Sequence, residues 1–156
     1  MRLGSIVLAD EGAAVKLGAA LAPGLQTGDI ICLEGPLGAG KTTCARGLIK
    51  AFCGAREVPS PTFTLVETYQ KPQNSGAALW HFDLYRLEHP RDVYELGFED
   101  ALGDGICLIE WPQRIEGLLP PERLRLVFHI LKEGGRRVDI EGSEIWRQRL
   151  AATGLI

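Results

Sequence analysis

Apolar and polar positions change period several times along this chain, and each change marks an element. Residues 3–8 make a short first strand. Over residues 11–22, Ala14, Leu17, Leu21 and Ala22 recur at i, i+3, i+7 and i+8, the spacing of one helix face. Asp10 is placed to cap that helix, Gly18 lies on the same face as an interior glycine that weakens it, and Pro23-Gly24 stops it. Residues 29–33 form an apolar run of strand length, and residues 43–52 are helical in length and pattern, ending near Gly54. Residues 62–69 are rich in β-branched and aromatic side chains and read as a strand; after a loop at 71–76, residues 77–84 read as its hairpin partner. In that partner Trp80, Phe82 and Leu84 fall on one face and His81, Asp83 and Tyr85 on the other. One side is expected to pack, and the other to show an acid, an imidazole and a phenol together.

Further on, residues 90–96 predict a short helix with proline in its first turn and Gly97 after its end, followed by another turn at 98–102. Residues 105–111 form a buried-looking strand that ends in an acid, Glu110, before Pro112. Residues 123–132 and 137–141 resemble a hairpin across Glu133-Gly134-Gly135. Ser143 is placed to cap a last helix whose period is set by Ile145, Trp146, Arg149 and Leu150. No repeat, low-complexity tract or linker interrupts the 156 residues, so one domain spanning 1–156 is expected.

Composition narrows the class. A chain that is 46% hydrophobic and 24% charged suits a globular core. The net charge of −3 carries no electrostatic footprint for direct nucleic-acid binding. Arg136-Arg137 with Lys132 is the one basic hint, and a solvated hairpin turn explains it better. Cys32, Cys44, Cys53 and Cys107 form no C-x-x-C pair, and Cys32 and Cys107 sit in apolar runs as small hydrophobes. A reduced, cytoplasmic protein without disulfides or a zinc site is expected. No signal-like segment and no run of membrane-spanning length is seen, so no membrane association is expected.

The chemistry centres on residues 35–43, which read G-P-L-G-A-G-K-T-T. Gly35, Gly40, Lys41 and Thr42 fit G-x-x-x-x-G-K-[ST], a P-loop. Its glycines let the backbone turn N–H groups of Gly38, Ala39, Gly40, Lys41, Thr42 and Thr43 toward phosphates. Lys41 can reach the β- and γ-phosphates, and the Thr42 hydroxyl can ligate Mg²⁺. A strand before the loop and a helix after it supply the required context, the helix N-terminus adding partial positive charge.

Such a site needs a further acid near the metal. Glu110, at the end of an apolar strand, fits the position, although Asp is the common residue there; an ordinary charge at a strand end is the other reading. Asp83 is the rival: it could bind metal-bound water, orient an attacking water or act as general base, or be a half-exposed residue paired with Arg86. Ser60-Pro61-Thr62 reads as a proline-rich turn or as a switch-like loop with the Thr62 hydroxyl near the γ-phosphate. His81 taken alone is a packed or surface histidine, and Trp111 a core or rim residue. Asn74 is the one asparagine, so the N-K-x-D element that reads guanine is absent; no Arg-rich lid of the small-molecule kinase type appears.

Together, G-P-L-G-A-G-K-T-T at 35–43, S-P-T-F-T-L-V-E at 60–67, H-F-D-L-Y-R-L at 81–87 and L-I-E-W-P at 108–112 resemble the TsaE family, formerly YjeE. These are small bacterial P-loop ATPases of tRNA threonylcarbamoyladenosine formation. The match runs from about residue 11 to residue 112. It implies an α/β fold: a P-loop NTPase-type three-layer sandwich around a mixed sheet that includes antiparallel hairpins. It implies ATP and Mg²⁺ as cofactors, TsaD and TsaB as partners, and contact with tRNA only indirectly through their complex. TsaD would transfer the threonylcarbamoyl group to the adenosine 3′ of the anticodon, and this chain would hydrolyse ATP in support. Carried over by position, Lys41, Asp83 and Glu110 would be catalytic, Thr42 and Glu110 would hold the metal, and Thr62 would lie in the switch-like segment. Two positions depart from the family pattern: Pro36 stands where an acid is usual, and Ala14 where many members carry Thr. A small-molecule kinase and a non-hydrolysing nucleotide-dependent binding module are the alternative functions.

Overall fold

The computed structural model describes residues 1–54, 58–59, 61 and 64–156. Seven strands form one sheet in the order β1-β7-β6-β2-β5-β4-β3. They are β1 (Arg2–Leu8), β2 (Ile30–Glu34), β3 (Val66–Tyr69), β4 (Leu79–Asp83), β5 (Ile106–Glu110), β6 (Leu124–Ile130) and β7 (Arg136–Glu141). The four central strands β6, β2, β5 and β4 are parallel, while β1 and β7 at one edge and β3 at the other pair antiparallel. The mixed sheet and both hairpins match the expectation. Among the described residues four α-helices pack on the sheet: α1 (Glu11–Leu21), α2 (Lys41–Cys53), α3 (Phe98–Asp104) and α4 (Glu144–Ala152).

Strand alternation sorts the core into two layers. Ile31 and Leu33 of β2, Ile106 and Leu108 of β5 and Leu79 of β4 pack on the side of α1, α2 and α4. Ile30, Cys32, Cys107, Ile109 and Phe82 face the other way, against α3 and the 3₁₀ segments Pro90–Leu96 and Pro112–Leu118. Parallel strands covered on both faces read as continuous apolar runs. Cys32 and Cys107 are buried free thiols, each pushed up to about 12 chiefly by burial.

Several boundaries differ from the sequence reading. The helix after the P-loop starts at Lys41, not at residue 43, because the loop delivers Lys41 directly into helical geometry. The first hairpin strand begins at Val66: Leu65 takes φ 64°, which breaks the extended run, and Thr62 lies outside the described residues. The expected turn after Gly97 is the helix α3. Ser143 caps α4 by accepting from the Trp146 N–H, and Trp146 and Leu150 are buried, but Ile145 is exposed and sets no core face. No helix among the described residues is long and apolar enough to cross a membrane.

The interior glycine of α1 has a packing reason. A Cβ on Gly18 would lie 2.0 Å from the Cys44 carbonyl oxygen, and one on Gly47 would lie 2.3 Å from the Val15 carbonyl oxygen. The two helices therefore approach backbone to backbone through reciprocal glycines. Gly47→Ala should force them apart and destabilise the fold by about 1–3 kcal/mol, the usual cost of overpacking. Gly103→Ala, where a Cβ meets nothing within 4 Å, should instead be neutral or stabilising by up to about 1 kcal/mol. Urea midpoints at unchanged slope measure both, and equal midpoints for the two variants would contradict the close-approach account.

Candidate nucleotide site

The P-loop leaves β2 at Glu34 and enters α2 at Lys41. Gly40 holds φ 103°, and Gly35 holds φ 141° with the Phe128 carbonyl oxygen 2.6 Å from where a Cβ would be. Both are conformations that side chains rarely adopt, so the turn depends on these two glycines. The Lys41 ammonium is buried at the loop mouth, where it donates to the Gly35 carbonyl and, at 2.8 Å, to the Pro36 carbonyl. The ring of Trp111 lies 4.2 Å from Nζ, a cation–π contact, and Tyr85 packs on Trp111 with centroids 4.8 Å apart.

Topology brings the two acids to this loop. Leu79, His81 and Asp83 share one face of β4, as Ile106, Leu108 and Glu110 share one face of β5, and both faces turn toward α2. Asp83 and Glu110 are neighbours in register at the ends of their parallel strands. Glu110 is 1% exposed and takes two hydrogen bonds: the Thr42 hydroxyl donates to Oε1 at 2.7 Å, and His81 Nε2 lies 2.7 Å from Oε2. Asp83 is half-buried and accepts from the Tyr85 N–H at 3.2 Å.

The expected polar face of β4 is thus corrected in one respect. His81 is 0% exposed and turned inward to Glu110, because both faces of β4 are covered, Leu79 packing in the layer of α1 and α2 and Phe82 in that of α3. Tyr85 lies past the strand end and is exposed.

Gly38, Ala39, Gly40, Lys41, Thr42, Thr43, Asp83 and Glu110 all line one cavity of about 620 Å³. Thr62, the remaining candidate, lies outside the described residues, as does Ser60. The cavity also takes in residues that the sequence reading did not assign to it. Leu8, Ala9, Asp10 and Glu11 come from the β1–α1 junction, and Gly135 and Arg136 from the β6–β7 turn. Arg136 donates to the Gly38 carbonyl at 3.0 Å and so braces the P-loop from outside. No local motif marks it; only sheet order carries that turn to the loop. Ala14 lines the same cavity.

The donor set fits a nucleotide with Mg²⁺. Among the described residues no group of three or more His, Cys, Asp or Glu forms a metal cage. Mg²⁺ instead favours hard oxygens, taking one or two carboxylates together with phosphates and water. Thr42 and Glu110 offer a hydroxyl and a carboxylate side by side on the cavity wall.

The electrostatics separate the residues further. Burial lowers the proton affinity of Lys41, and the Glu110 and Asp83 carboxylates oppose that shift. The Asp83 carboxyl lies above the ordinary carboxylate range, first through burial and then through the Glu110 charge, with the Tyr85 N–H and Lys41 pulling it back. In a carboxyl NMR titration Asp83 should therefore lose its proton above the usual value of about 4. Lys41→Met, which removes a cation, should move the midpoint higher; Glu110→Gln, which removes an anion, should move it lower. An Asp83 midpoint that ignores both changes would show that the carboxyl does not sense the site.

Comparison with known proteins gives a consistent result. A family model described as threonylcarbamoyl adenosine biosynthesis protein TsaE matches residues 8–138. The chain is 43% identical over 136 residues to the tRNA threonylcarbamoyladenosine biosynthesis protein TsaE of Rickettsia felis, covering 86% of this chain and 78% of that one. It is 44% identical over 117 residues to the protein of the same name from Bacillus subtilis, covering 74% and 68%. Among solved structures, YdiB of Bacillus subtilis superposes with a TM-score of 0.75 at 26% identity, over 99% of this chain and 96% of that one.

Proposed function

The chain belongs to the TsaE family, which works in tRNA threonylcarbamoyladenosine biosynthesis, and on that premise we propose that it is an Mg²⁺-dependent ATPase of this modification. Hydrolysis serves formation of the threonylcarbamoyl group on the adenosine 3′ of the anticodon. The chain works with TsaD and TsaB and does not carry out the transfer. The observation that carries the ATPase reading is the convergence of Lys41, Thr42, Asp83 and Glu110 on one cavity at the P-loop.

Each residue has a role that its placement supports. The loop amides and Lys41 bind the phosphates, and Thr42 with Glu110 would hold the metal. Bound Mg²⁺ supplies charge neutralisation across the phosphates. Asp83, in register beside Glu110 and with raised proton affinity, orients the attacking water and takes its proton. The new bond forms from water oxygen to the γ-phosphorus, and the bond to the ADP oxygen breaks. Because phosphoryl transfer is largely positioning, a partner protein can raise turnover by completing the site. A net charge of −3 supports a role in which tRNA is met through the partners.

Phosphate release from ATP by the chain alone, and with TsaD and TsaB, tests this reading. We expect slow release alone and stimulation by the partners, both lost in Lys41→Ala together with nucleotide binding. Asp83→Asn should lower kcat by about 10²- to 10⁴-fold, the range for loss of a general base, while nucleotide affinity stays within a few-fold. Phosphate appearing on a small acceptor would establish a kinase instead, and ATP binding without turnover in the full complex would establish a binding module.

A further inference from the structure

His81 is the buried polar side chain that the roles above do not use. It is 0% exposed on β4, among side chains of the core. Its Nε2 lies 2.7 Å from Glu110 Oε2, and Nδ1 is buried without a hydrogen-bond partner among the described residues. A carboxylate only accepts, so Nε2 carries the hydrogen and donates it. Burying an imidazole carries a desolvation cost that an apolar side chain of the same volume avoids. The single compensating bond is directed at Glu110.

We propose that His81 is a positioning residue: its Nε2–H fixes one oxygen of Glu110, so that the other is presented at Thr42, where the metal is to be held. The inference rests on the reading of Thr42 and Glu110 as the metal-holding pair. The geometry assigns each Glu110 oxygen one duty. Oε2 is anchored to β4, and Oε1 meets the Thr42 hydroxyl at the start of α2. A glutamate has three rotatable side-chain bonds, and one hydrogen bond to a hydroxyl leaves the carboxylate free to swing about it. The second bond removes that freedom. Hydrogen-bond partners of metal ligands set ligand orientation in this way, and their loss costs about 10- to 100-fold in metal affinity.

Calorimetry of ADP binding with Mg²⁺ and with EDTA separates this role from packing. The quantity read is the factor by which Mg²⁺ tightens ADP. In His81→Gln the side-chain amide reaches about as far as Nε2 and can donate in its place; in His81→Met the volume is kept and the donor is lost. We expect His81→Met to bind ADP in EDTA within about twofold of the parent while the Mg²⁺ factor falls by about 10- to 100-fold, and His81→Gln to retain the factor. A Mg²⁺ factor kept by both variants, or lost by both, would overturn the proposal. Should His81→Met fail to fold by thermal melting, His81→Gln decides alone: retention supports the role and loss overturns it. A parent chain that binds no ADP even in EDTA refutes the nucleotide-site reading itself, which distinguishes that failure from failure of His81.

Discussion

The structure turns on one buried carboxylate. Glu110 ends a strand whose every residue is buried, and a carboxylate in such a place is costly unless its oxygens are satisfied. Satisfaction comes from two directions, from Thr42 at the head of α2 and from His81 in β4. Those two bonds tie the P-loop helix to the middle of the sheet and the middle of the sheet to its neighbour strand. Placing Glu110 thus fixes where the loop ends, how Thr42 is turned and which face of β4 looks inward. Removing either donor would leave a buried acceptor unpaired, a loss larger than the bond itself contributes.

Thr42 can meet Glu110 only if α2 lies at the right depth. Its position is set in part by α1, packed beside it on the same face of the sheet, where Gly18 and Gly47 let the two helices touch backbone to backbone. On the loop side the left-handed Gly40 turns the chain straight into the helix, and Arg136 holds the Gly38 carbonyl from the β6–β7 turn. The geometry of the site is therefore held from three sides: by α1, by the turn at Gly40 and by Arg136. Sites built on rigid elements hold their groups more closely than sites built on loops, and here the P-loop is held between a strand and a helix.

What could be read from the chain depended on the range of the interaction. The P-loop is local: the eight residues 35–42 specify turn, charge and hydroxyl, and strand and helix flank it as its function demands. The alternation in β4 put His81 and Asp83 on one face correctly, yet it suggested an open surface. Alternation gives the side of a strand and not what covers it, and inside a parallel sheet both sides are covered. Gly18 looked like a weak point in α1 because its reason, the Cys44 carbonyl, lies 26 positions along the chain. Arg136 looked like a solvated hairpin residue because its partner, Gly38, is 98 positions away and only the sheet order joins them. The exposed Ile145 shows the same limit: helical period alone placed it beside Trp146, and packing chose Trp146.

The pairing of Asp83 with Glu110 follows from these constraints. Two carboxylates in register on adjacent parallel strands repel, and burial sharpens the repulsion. The structure resolves it unequally. Glu110, deep and held by two donors, keeps its place, and its charge helps push the proton affinity of Asp83 upward. Asp83, half-buried on the cavity wall, accepts from one backbone N–H, and its proton affinity is raised. A carboxylate held in place by two donors, beside a half-buried carboxyl whose proton affinity is raised, supplies the division of labour that the proposed hydrolysis requires, and the register of β4 against β5 is what sets the two side by side.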